Sequence, residues 1–181
     1  MRSERYFIGY HLRGEANRWV KNLKLRLAKG FNLSWTLQYP PHITLFHPFE
    51  TEDLNALKES LADIAGSSQT FKVSIPSYGH FDQETWFVEV EQKHELFELK
   101  KKIVEKILKR LETKDNDHGY ATHFHITLAH KELTPETFAK IEDILKTETI
   151  PFGELTIDSF TLFRKGETEW EAIEDFEFTN Q

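Results

Sequence analysis

Apolar residues along this chain recur with two different periods, and the changes of period mark out its elements. Tyr6 to Leu12, rich in aromatic and β-favouring residues, predicts a strand. Between Gly14 and Lys29 the residues Ala16, Trp19, Val20, Leu23 and Leu27 recur at helical spacing. Arg18, Lys21, Lys24 and Arg26 fall mostly on the other face, which reads as a solvated surface, and Gly30 is the expected stop. Residues 31–41 read as an aromatic loop whose Pro40-Pro41 imposes an extended approach to the next strand.

Thr51-Glu52-Asp53 predicts a helix start with Thr51 as the capping hydroxyl, and Leu54, Leu57, Leu61 and Ile64 form its buried stripe. Phe71, Val73 and Ile75 alternate as a strand, and a turn at 82–84 leads into Trp86, Val88 and Val90 as a hairpin. A long helix over 93–111 buries Leu96, Leu99, Ile103, Ile107 and Leu111 and leaves its lysines, Lys100 among them, largely outside. A polar loop at 114–119 precedes another strand. Thr134-Pro135 caps and opens a helix through Phe138, Ile141, Ile144 and Leu145. Finally a strand over Glu154 to Phe163, whose apolar phase shifts as if bulged near Asp158, pairs with Trp170 to Phe178.

Two of these strands carry the same word. His42-Ile43-Thr44-Leu45 recurs as His125-Ile126-Thr127-Leu128, and His47 and His130 follow at the same offset. The likeness continues: a Thr-initiated helix follows each copy, and residues 73–81 match 155–163. An offset of about eighty residues is too long for a solenoid and suits two copies of one supersecondary unit. The expectation is one domain over 1–181, internally duplicated over approximately 6–82 and 86–164, with a final strand at 168–178.

Composition narrows the chemistry. With 23 Lys and Arg against 30 Asp and Glu the formal charge is -7, which disfavours non-specific binding to double-stranded nucleic acid. No cysteine is present, so disulfides, thiolate metal sites and a thiol nucleophile are excluded. No apolar run approaches a membrane span, and the N-terminus has no leader-like apolar stretch, so a cytoplasmic protein is expected. A monomer is expected, since duplication already supplies a two-fold relation.

In a strand His42 and Thr44 share a face, as do His123, His125 and Thr127. In an unbroken strand His47 and His130 point the other way, and a bulge at Phe46 reverses that. Two imidazoles brought together across a pseudo-two-fold axis suit phosphodiester chemistry, one as base and one as acid, with threonine hydroxyls donating to phosphate oxygens. A metal site from His118, His123, His125 and His130 is the rival, although no carboxylate obviously completes it and no metal or other cofactor is expected. Tyr10, Trp35, Tyr39 and Phe46 are candidates to stack a base or line the rim.

The paired His-x-Thr words, one per half, resemble the motifs of the 2H phosphoesterase superfamily, which includes the LigT-like "2'-5' RNA ligase" proteins and RNA cyclic phosphodiesterases. The resemblance covers nearly the whole chain. It implies a bilobed α+β fold, with antiparallel sheets around a central cleft and helices outside, that opens a 2',3'-cyclic phosphate or 2'-5' linkage of a small nucleotide or RNA end without metal. It also implies His42 and His125 as the acid-base pair, in either order, and Thr44 and Thr127 as phosphate holders. The arginine that bacterial relatives often carry shortly after a motif is missing, since Phe46-His47 and Ala129-His130 stand there, leaving Lys131, Arg164 or Lys165 as candidate cations. An inactive protein that binds a nucleotide or RNA end is the alternative.

Overall fold

The computed structural model describes residues 4–111 and 123–179; the expected loop at 114–119 and His118 lie outside them. Nine strands and four α-helices are formed among the described residues. The chain begins with β1 (Glu4–His11), α1 (Gly14–Phe31), a 3-10 turn (Trp35–Gln38) and β2 (His42–Thr51), then α2 (Leu54–Gly66), β3 (Phe71–Ser74) and β4 (Tyr78–Phe81). It continues with β5 (Thr85–Glu89), α3 (His94–Leu111), β6 (His125–His130), α4 (Pro135–Leu145), β7 (Glu154–Ile157), β8 (Ser159–Lys165) and β9 (Trp170–Glu177). All pairings are antiparallel, and the fold is α+β as expected.

The sheets interlock the two halves that the sequence reading takes as repeats. One has the order β2-β1-β8-β9 and another β4-β5-β6, while β3 and β7 pair with each other. The strand that closes each repeat, β4 or β8, therefore lies in the sheet of the other repeat. The long strand expected over 154–163 is two strands: Asp158 is the break at which the chain leaves β3 and joins β1, so the phase shift marks a change of sheet rather than a bulge.

Two other local readings are corrected. Helix α1 runs through Gly30 and ends at Asn32, which takes the left-handed conformation (φ 54°, ψ 43°) and donates its N–H to the Ala28 carbonyl. Asp53, not Thr51, caps α2, its carboxylate accepting from the Ala56 N–H at 3.0 Å, a cap worth about 1 kcal/mol. Pro48 lies within β2, an edge strand of its sheet, where its missing N–H is tolerated. The Thr134 cap is as read, its hydroxyl accepting from the Thr137 N–H at 3.1 Å.

Helix placement completes the interlock. α1 packs against β6 and α3 against β2, so each helix supports the motif strand of the other repeat. One continuous core lies between helices and sheets, with Ile8, Val20, Ile43, Leu45, Leu61, Val88, Ile103, Ile126, Leu128 and Leu162 inaccessible to solvent.

Candidate active site

Both motif strands bulge at the same point. Along β1 and β2 the register steps from Gly9 opposite Thr44 to Ile8 opposite Phe46, skipping Leu45. Along β5 and β6 it steps from Phe87 opposite Thr127 to Trp86 opposite Ala129, skipping Leu128. The extra residue lets two consecutive apolar side chains, Leu45-Phe46 and Leu128-Ala129, both enter the core. It also returns His47 and His130 to the face that carries the motif histidines and threonines. All six line one cleft of about 480 Å³. The unbroken-strand reading of His47 and His130 is thereby corrected.

The two motif histidines are anchored alike. The Nδ1 of His42 lies 2.7 Å from the Pro40 carbonyl and that of His125 lies 2.9 Å from the His123 carbonyl, in each case two residues upstream. A carbonyl only accepts, so Nδ1 carries the proton in both rings and Nε2 is left as the base. His42 Nε2 lies 3.1 Å from the Thr44 hydroxyl, whereas His125 Nε2 has no protein partner among the described residues.

Aromatic walls surround each ring. Phe7, Tyr39 and Phe163 enclose His42, and Phe81 and Phe87 flank His125. Burial therefore opposes protonation. It pushes His42 down to about 3, helped by the positive charge of Lys24 and by His125 and His11, against the pull of the Pro40 carbonyl. His125 is lowered for the same main reason.

Backbone clamps hold the approach to each motif. Lys24 donates to the Tyr39 carbonyl at 2.7 Å, next to the Pro40 carbonyl that holds His42. On the other side Gln92 bridges the Phe124 N–H and carbonyl at 2.8 and 2.9 Å, acting as a strand partner for the segment before His125. Glu132 takes the N–H groups of Ser34 and Trp35, capping the turn that carries Trp35 from the other repeat. Gly9 lets β1 pass the first motif, since a Cβ there would lie 2.7 Å from the Ile43 carbonyl oxygen and 3.2 Å from His42 Cδ2.

The charge of the cleft is opposite to that of the chain. Arg5, Lys24, Lys100 and Lys131 line it, and among the described residues no aspartate or glutamate does. Of the cations weighed from sequence, only Lys131 is among them, lying over the Trp35 ring. Arg164 pairs with Glu171, and Lys165 reaches Gln38 and Trp170. Lys24 and Lys100, read as solvated, are 4% and 7% exposed.

Trp35 and Tyr39 line the cleft, their ring centroids 4.9 Å apart, with Trp170 stacked on Tyr39. Tyr10 and Phe46 do not. Tyr10 is buried with its hydroxyl on the Thr156 carbonyl, and Phe46 is a core residue because the bulge turns it inward. His123 lies at the cleft with Nε2 2.7 Å from the Glu89 carboxylate, without hydrogen-bond alignment. Among the described residues no three His, Asp or Glu side chains are grouped to hold a metal ion.

A family model described as the 2'-5' RNA ligase superfamily matches residues 14–169. No curated protein sequence matches the chain. Among solved structures, the fold is similar to TT0787 of Thermus thermophilus, with a TM-score of 0.65 at 16% identity over 98% of this chain and 99% of that one. It is also similar to E. coli LigT complexed with 3'-AMP, with a TM-score of 0.61 at 16% identity over the same shares. By the extent of the family match, with the fold in agreement, this chain belongs to the 2'-5' RNA ligase superfamily of 2H phosphoesterases.

Proposed function

We propose that this protein is a phosphoesterase that opens a 2',3'-cyclic phosphate, or a 2'-5' phosphodiester, of a nucleotide or RNA end without a metal ion. The observation that carries the reading is the matched anchoring of His42 and His125, each turning Nδ1 to the backbone and leaving Nε2 for proton transfer in one shared cleft. That E. coli LigT has been crystallised with 3'-AMP and with ATP agrees with a nucleotide-sized ligand.

In this reading the phosphoryl group sits against Thr44 and Thr127, whose hydroxyls donate to its non-bridging oxygens. Water attacks phosphorus and gives its proton to one neutral imidazole. The bond from phosphorus to the 2' or 3' oxygen breaks as the other imidazole, protonated, supplies that oxygen with a proton. Burial keeps both imidazoles neutral, and the charge of the bound phosphate raises their proton affinity, so that either can serve as the acid while the other serves as the base. Trp35 and Tyr39 offer ring faces for a base.

The test is phosphorus NMR of nucleoside 2',3'-cyclic phosphates and 2'-5'-linked dinucleotides incubated with the protein. The reading expects a single 2'- or 3'-monophosphate product. Persistence of every substrate would contradict it.

A further inference from the structure

Helices α1 and α3 carry one unexpected residue each, in like surroundings. Leu23-Lys24 in α1 and Leu99-Lys100 in α3 are the same dipeptide, and both of its residues are buried. Four residues before each lysine stands a buried Val20 or Leu96; three and four residues after stand Leu27 and Ala28, or Ile103 and Val104, also buried. Both lysines therefore occupy the apolar stripe of their helix, where a leucine would pack better and a charge is costly. Each nonetheless borders the cleft, Lys24 reaching the segment before His42 and Lys100 lying over Phe124, next to His125.

Among the described residues Lys24 has no carboxylate partner; its hydrogen bond goes to the Tyr39 carbonyl. The buried Lys24 ammonium, facing a cleft with no carboxylate among its described lining residues, is matched by an anion. Resting on the phosphoester reading above, we propose that Lys24 and Lys100 are the counter-charges of the bound phosphoryl group, one supplied by each repeat. They reach the cleft from the helices, whereas Lys131 reaches it from the end of a motif strand. Burial lowers the proton affinity of both, Lys24 to about 7, and a bound anion opposes that effect.

The competing role for Lys24 is a brace that holds the Tyr39 carbonyl. Glutamine separates the two, because it keeps a donor and removes the charge. The experiment is calorimetric titration of inorganic phosphate, and separately of uncharged adenosine, into wild type, Lys24→Gln, Lys100→Gln and the exposed-face control Lys21→Gln. Each buried variant should weaken phosphate binding about tenfold or more, the scale of a lost charge-assisted hydrogen bond, while adenosine binding and the control stay unchanged. Folded variants that bind phosphate as tightly as wild type would overturn the inference, and turnover of a cyclic phosphate would then judge the phosphoester reading separately. Wild type that binds no phosphate would overturn it too. If Lys24→Gln does not fold, Lys100→Gln decides.

Discussion

The Nε2 of His42 lies 3.1 Å from the hydroxyl of Thr44, and the matching pair His125 and Thr127 forms no such bond. Since His42 gives its Nδ1 proton to Pro40, the Thr44 hydroxyl is the donor, and it occupies the lone pair that would accept a proton from water. In the proposed mechanism, a bound phosphoryl group would give that hydroxyl a better acceptor and free the base. Thr44→Ala should therefore lower kcat/KM by about two orders of magnitude or less, and Thr44→Ser should restore most of it. Steady-state kinetics on a cyclic phosphate checks both; a Thr44→Ala enzyme as active as wild type would remove Thr44 from the mechanism.

Stability should fall with acid over a definite window. His42 has its proton affinity lowered from the ordinary 6.5 to about 3, so between these values the unfolded chain binds a proton that the native ring refuses. The contribution of the neutral ring is complete above pH 6.5 and is lost progressively as pH falls toward 3. Urea unfolding across that range should show a shallower decline in His42→Gln than in wild type. Parallel declines would show that His42 titrates normally.

Lys24 has the same sign in an alkaline window. Its folded value is lowered from 10.5 to about 7, so the native state gains stability as pH rises between the two. Lys24→Met has no such group. The difference in unfolding free energy should move in favour of wild type from pH 7 to 10.5, and chemical denaturation at a series of pH values reads it directly. A difference independent of pH would mean that the ammonium is hydrated in the native protein.

Gly9 tests whether backbone closeness sets the first histidine. A methyl group there meets the Ile43 carbonyl and the His42 ring, and the carbonyl belongs to a strand that cannot yield without moving the motif. Gly9→Ala should cost about 1–3 kcal/mol of stability by overpacking and lower kcat more than KM is changed, because His42 is displaced. Thermal unfolding and kinetics together check it; an active variant of unchanged stability would show that the strands separate easily at this point.

The fold and the site were legible from sequence to different depths. Helices with clean apolar stripes and the Thr134-Pro135 start were readable, because local periodicity and capping chemistry decide them. The duplicated His-x-Thr words located the cleft, because two copies brought together need no further information. What could not be read depends on the partner strand. The bulges at Leu45 and Leu128 exist only relative to β1 and β5, yet they send Phe46 into the core and bring His47 and His130 to the cleft. Asp158 looked like a bulge because a strand that changes sheets and a bulged strand shift the apolar phase alike. Lys24 and Lys100 looked solvated by residue type, although their spacing from buried neighbours placed them on the inner stripe, a signal that was available in the sequence.

The most direct test of the central claim is hydrolysis of a nucleoside 2',3'-cyclic phosphate in the presence of EDTA by wild type, His42→Ala, His125→Ala and the double variant, with folding checked by circular dichroism. The account predicts turnover by wild type under chelation. Each single substitution should lower it by about two to four orders of magnitude, and the double variant should lose much less than the product of the two, as residues acting in one step do. Wild-type activity abolished by EDTA, or retained in either folded single variant, would contradict it.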